Sequence, residues 1–145
     1  MKPPWKDGRI SHVTLSLPPQ PLMTENLKTI NGKSVFFAEF ENMISPSELE
    51  QGVKHIFDFC CNKEVFLVYA DCSKLEGGHS VFDLYSLANS LASAPGSYRF
   101  KEAILINEST KSKGDVRFWE TACVNRGFRV KIFNDATTAM SWLTE

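Results

Sequence analysis

The sequence contains no apolar run that approaches the ~18 residues needed to cross a bilayer, so no segment is expected to span a membrane. It also lacks an excess of charge: 16 Lys and Arg stand against 17 Asp and Glu, a formal net charge of −1. Without a basic footprint, neither nucleic acid nor an anionic membrane surface is an expected partner. Its four cysteines include no C-x-x-C pair, which leaves a zinc site without its usual spacing. Gly77-Gly78 lacks the further glycines and the lysine of a phosphate-binding loop. The opening "MKPPWKDGRISHV" places prolines and charges where a secretory signal needs an apolar core, so the expected location is cytoplasmic, with free thiols and neither metal nor cofactor.

What is present describes an ordinary globular chain, with 43% hydrophobic and 23% charged residues among 145. That length suits one domain, and such a domain buries roughly 68–70% of its unfolded surface without a disulfide or metal to hold it. Residues 1–21 differ from the rest. "SHVTLSL" alternates like a strand but runs straight into "PPQP", and proline both fixes φ and removes a donor. The segment reads as an extended arm whose Trp5, Ile10, Val13 and Leu15 need a docking surface. That surface lies on the same subunit or on the neighbour in a homodimer.

Residues 22–145 read as the domain. Asn31-Gly32 separates "LKTI" from "KSVFFAEF" and favours the type I′ turn of a hairpin. Phe36, Ala38 and Phe40 share one face of the second strand, with Val35, Phe37 and Glu39 on the other, which places that strand inside a sheet. "SPSE" at Ser45 to Glu48 combines an N-cap serine, a first-turn proline and a glutamate three residues on. Leu49, Val53, Ile56, Phe57 and Cys60 then form one helical stripe, with His55 beside it as a solvated side chain.

Further on, "VFLVYA" (Val65 to Ala70) and "EAILIN" (Glu102 to Asn107) are short unbroken apolar runs, as expected of buried parallel strands. Helices are expected over Val81 to Ala94, Asp115 to Arg126 and "DATTAMSWL", the last capped by Asn134. "FRVKIF" alternates as an edge strand with Arg129 and Lys131 facing water. The order ββαβαβαβα predicts an α/β fold: a single mixed, mostly parallel sheet with an N-terminal β-hairpin and about four helices.

In sheets of this kind ligands gather outside the carboxyl ends of strands. Asp71-Cys72-Ser73, Asn107-Glu108-Ser109 and Asn134-Asp135 fall there. The stretch "DCSKLEGGHSVFDL" adds His79, and Ser80 with Asp83 makes an S-x-x-D cap for the next helix. A Cys72/His79 nucleophilic enzyme would also need an oxyanion donor, and the seven-residue spacing matches no catalytic geometry. Asp71, Ser73, His79, Ser80 and Asn107 are the candidate regulatory or ligand-binding residues; no catalytic and no metal-binding residue is assigned.

From about Leu22 the chain resembles the STAS superfamily, and within it the small bacterial SpoIIAA-like (STAS-like) group. The resemblance rests on the hairpin, on "VFLVYADCSKLEG" and on "NRGFRVKIFNDATTAMSWL" (Asn125 to Leu143). It implies a non-catalytic regulatory or binding domain similar to anti-sigma-factor antagonists. Those proteins bind a protein partner and are switched by phosphorylation of a serine at the start of the helix after the central strand. Ser80 occupies that place, although His79-Ser80-Val81-Phe82 departs from the D-S-S-G type of the antagonists. The group's similarity to CRAL-TRIO lipid carriers implies an alternative, a carrier of a small apolar or lipid-like ligand. The eleven phenylalanines suit such a pocket as well as they suit a core.

Overall fold

A computed structural model describes residues 23–145; the arm assigned to residues 1–21 and the domain's first residue, Leu22, lie outside them. After a single 3₁₀ turn at Thr24–Asn26, strand β1 (Leu27–Ile30) pairs antiparallel with β2 (Lys33–Met43). Asn31 and Gly32 take φ of 53° and 79°, the paired positive values of a type I′ turn. Then follow α1 (Pro46–Lys63), β3 (Leu67–Gly77), α2 (Val81–Ala92), β4 (Lys101–Leu105), α3 (Lys113–Val124), β5 (Arg129–Phe133) and α4 (Ala136–Thr144). The sheet runs in the order β1-β2-β3-β4-β5, parallel from β2 onward. This is the expected mixed sheet with β3 at its centre.

Consecutive order has a geometric consequence. Each right-handed crossover steps the same way, so α1, α2 and α3 stack on one face. On that face Phe36, Ala38 and Phe40 meet Phe59, Leu87 and Val116 in one core. Val35, Tyr69 and Ala103 point to the reverse face, where α4 covers them with Ala139 and Leu143. The alternation legible in β2 thus separates two cores. The Ser45 capping box is present in full: its hydroxyl accepts from Glu48 N, and the Glu48 carboxylate accepts from Ser45 N.

Three expectations need correction. Strand β3 does not end at Ala70 but continues to Gly77, because β2 is long enough to supply partners as far as Met43. Asp71-Cys72-Ser73 therefore lies inside a strand and not beyond its end. The last helix is capped by Asp135 rather than Asn134: the Asp135 carboxylate accepts from Thr138 N at 2.8 Å and from its hydroxyl at 2.6 Å. The expected helix ends at Ala94 and Arg126 fall two residues earlier, at Ala92 and Val124.

Candidate functional site

The extension of β3 is irregular. Glu39 pairs with Asp71 but Glu41 pairs with Lys74, so β3 carries an extra residue there, a β-bulge. The bulge would leave a backbone donor unpaired, and Asp71 supplies the acceptor: its Oδ1 accepts from Ser73 N at 3.0 Å and from the Ser73 hydroxyl at 2.6 Å. The Ser73 carbonyl in turn accepts from the hydroxyl of buried Thr110 at 2.8 Å. That hydroxyl also accepts from Asn107 N, while Asn107 Oδ1 accepts from Ser109 N. Three of the candidate residues, Asp71, Ser73 and Asn107, are thus brought together through Thr110, to which the sequence reading gave no role. These hydrogen bonds tie the β3 bulge to the loop after β4.

His79 belongs to a different cluster. Its side chain is 2% exposed; Nδ1 lies 3.4 Å from the Ile44 carbonyl and Nε2 lies 3.8 Å from Asp115 on α3. Two glycines bring it there. Gly77 and Gly78 have φ of 126° and 108°, and Gly77 O accepts from Ile44 N at 2.8 Å. A β-carbon on Gly78 would collide with the Ile44 backbone, with its carbonyl carbon and its nitrogen both at 2.8 Å. No side chain fits where these backbones pass.

Ser80 stands apart again, exposed at the start of α2. It forms the expected capping box: its hydroxyl accepts from Asp83 N at 3.2 Å, and the Asp83 carboxylate accepts from Ser80 N at 2.7 Å and from its hydroxyl at 2.8 Å. These hydrogen bonds hold the Asp83 carboxyl below its ordinary pKa. A phosphate on Ser80 would therefore meet an ionised carboxylate in direct contact. Around the cap the surface is apolar. Phe82 is 72% exposed, Val81 51% and Tyr85 46%, while Met43, at the end of β2 beside Gly77, is 60% exposed. The Arg126 guanidinium lies over the Tyr85 ring at 4.4 Å.

Beneath α1–α3 the sheet does not meet the helices everywhere. A cavity of about 130 Å³ opens between them, lined by residues such as Phe40, Leu49, Val68, Leu87, Ile104 and Val116. Its wall is apolar except where Glu102, Cys72, Cys123, Asp115, His79 and Arg129 contribute. Glu102, half-buried on β4, borders this space, and burial pushes its carboxyl up to about 7 even though the Trp119 indole donates to Oε1 at 3.0 Å. Nothing in "EAILIN" pointed to this acid, because Trp119 is supplied by α3. Burial also raises the Cys72 thiol well above its ordinary value, with the charges of Glu102 and Asp71 adding to the effect. Burial likewise raises Cys123, again with Glu102 contributing. Cys72 and His79 line the same cavity, but the cysteine is held as a neutral thiol rather than the thiolate a nucleophile requires. Among the described residues no group of three or more His, Cys, Asp or Glu is placed to hold a metal ion, and no helix is long and apolar enough to cross a membrane.

A five-stranded, mostly parallel sheet with three helices on one face and one on the other defines an α/β fold. More particularly, the chain has a SpoIIAA-like fold. It superposes with a TM-score of 0.53 and 17% identity on the crystal structure of an uncharacterised protein of the DUF3478 family, described as having a SpoIIAA-like fold, from Shewanella loihica PV-4. The match covers 81% of this chain and 90% of that one. No family model and no curated protein matches the sequence.

Proposed function

We propose that this chain is a non-catalytic binding module that docks a protein partner through the apolar surface at the start of α2. The observation that carries this reading is Phe82, 72% exposed next to Val81, itself 51% exposed. Large side chains left in water in a cluster are characteristic of interaction surfaces. The α2 helix buries Leu84, Leu87, Ala88 and Leu91 in its own core, so Val81 and Phe82 are surplus to folding. The neutral Cys72 thiol supports the non-catalytic part of the reading. Ser80 caps the helix that carries this surface, and the adjacent Asp83 carboxylate disfavours its use as a phosphorylation switch.

A photo-crosslinking residue at position 82 tests the proposal. It should capture a discrete partner, and Phe82→Ser should weaken binding to that purified partner at least tenfold with an unchanged melting transition. Crosslinks confined to a second copy of the chain would identify the surface as a homodimer interface. Equal binding by Phe82→Ser and wild type would overturn the reading.

One observation favours a second use, as a carrier of a small apolar ligand. The cavity of about 130 Å³ is close to the ~150 Å³ of an apolar cavity that stays dry and takes up benzene. Native mass spectrometry of protein purified without denaturation would reveal a bound molecule, and the bare mass with no uptake of added aromatic compounds would sink this reading.

A further inference from the structure

We infer that the cavity beneath α1–α3 selects a ligand of single-ring size carrying one weakly basic ring nitrogen, held by the free carboxyl oxygen of Glu102. This rests on the ligand-carrier reading and gives that ligand its chemistry.

The volume sets the size. About 130 Å³ accommodates one substituted aromatic ring. The polar group sets the rest. Among the described residues the Glu102 carboxyl makes a single hydrogen bond, accepted by Oε1 from Trp119. Its second oxygen has no partner among the described residues, and because Glu102 lines the cavity a ligand there can pair with it. A hydrocarbon would fill the space yet leave that oxygen unpaired.

The surroundings decide the sign. Among the described residues no cation neutralises Glu102: neighbouring Lys101 is directed to the reverse face, where its ammonium donates to the Trp142 carbonyl at 2.6 Å. Arg129, exposed where it borders the cavity, donates to the Arg99 carbonyl. The other titratable groups on the wall are the Cys72 and Cys123 thiols, which burial keeps neutral, and the His79–Asp115 pair. An anionic ligand would thus set two acids side by side in an apolar space. A weak base does the opposite. Burial keeps a proton on Glu102 at neutral pH for part of the time, and Oε2–H donates it to the ring nitrogen, so that the hydrogen bond becomes charge-assisted once the proton has crossed. The proton moves toward the base, and Trp119 steadies the negative charge left on the carboxyl.

Four compounds of nearly equal size test this by calorimetry at pH 7: toluene, 3-methylpyridine, 3-methylphenol and 3-methylbenzoate. The full-length chain should bind 3-methylpyridine at least tenfold more tightly than toluene and more tightly than 3-methylphenol, and should reject 3-methylbenzoate. In Glu102→Met the preference should vanish while toluene still binds. Should that variant fail to fold, the carboxyl infrared band of wild type provides the reading: it should shift on adding 3-methylpyridine and stay put with toluene. Toluene binding as well as 3-methylpyridine, or 3-methylphenol or 3-methylbenzoate binding best, would overturn the inference and leave the carrier reading standing. Binding of none of the four would remove both.

Discussion

The Trp119 indole nitrogen and Glu102 Oε1 lie 3.0 Å apart, joining α3 to β4 across the floor of an apolar cavity. The hydrogen bond eases the burial of the carboxyl without cancelling it, and Glu102 titrates near 7 in the fold against an ordinary 4.5. Between those values the folded chain holds a proton that the unfolded chain has lost. Stability therefore falls as pH rises from 4.5 toward 7, and the whole cost, about 3 kcal/mol, stands above that range. Glu102→Gln keeps the shape and removes the charge. It should stabilise the protein at pH 8 by up to that amount and have little effect at pH 4.5. Urea titrations at the two pH values check this; a variant less stable than wild type at pH 8 would mean that the carboxylate is not desolvated.

Thr110 is the pin between the β3 bulge and the loop after β4. Thr110→Val keeps the volume but leaves Asn107 N–H and the Ser73 carbonyl without their partner. A loss of about 1–3 kcal/mol is expected, with faster amide exchange at Asn107 and Ser109 before the sheet itself opens. Unchanged exchange at both amides would contradict the pinning.

Gly78→Ala should cost more than an ordinary surface change. The new methyl group meets the Ile44 backbone and must also adopt φ of 108°, so two penalties combine. About 2 kcal/mol or more of lost stability is expected by chemical denaturation. Gly127→Ala is a useful comparison: φ is 90° there, but nothing lies within 4 Å of the added carbon. It should be the milder of the two.

Ser80→Ala removes the acceptor for Asp83 N and should cost about 1 kcal/mol. Ser80→Asn, which also caps, should restore most of it. If alanine at position 80 is neutral by thermal melting, the hydroxyl is not acting as a cap.

Much of the architecture could be read before any coordinates because its signals are local. Asn31-Gly32 commits the backbone to a turn within two residues. Ser45 and Ser80 each find the other half of their capping box three positions on, and the apolar alternation of Val35 to Phe40 distinguishes two faces. What escaped depends on distant partners. Strand β3 outruns its apolar segment because β2 reaches far enough to pair with it, and the bulge at Asp71–Ser73 breaks the alternation that would have advertised a strand. Of the candidate residues, Asp71, Ser73 and Asn107 converge only through Thr110, while His79 and Ser80, adjacent in sequence, serve different contacts. Glu102 opens "EAILIN", and the sequence gives no reason to single it out. Its burial is created by α3, which brings Trp119 from 17 positions away.

The reverse face of the sheet depends on α4 alone among the described elements. During synthesis the chain emerges from β1 toward α4, so the strands and three of the helices are available while Val35, Tyr69 and Ala103 still face water. Among the described elements nothing else covers that side, so until residues 136–144 leave the ribosome those elements present an oily sheet surface. Chaperones that hold apolar segments would have their longest opportunity in that interval. A nonsense mutation just after Phe133 would make it permanent, yielding a chain that assembles its first core and then sticks to others by its uncovered face.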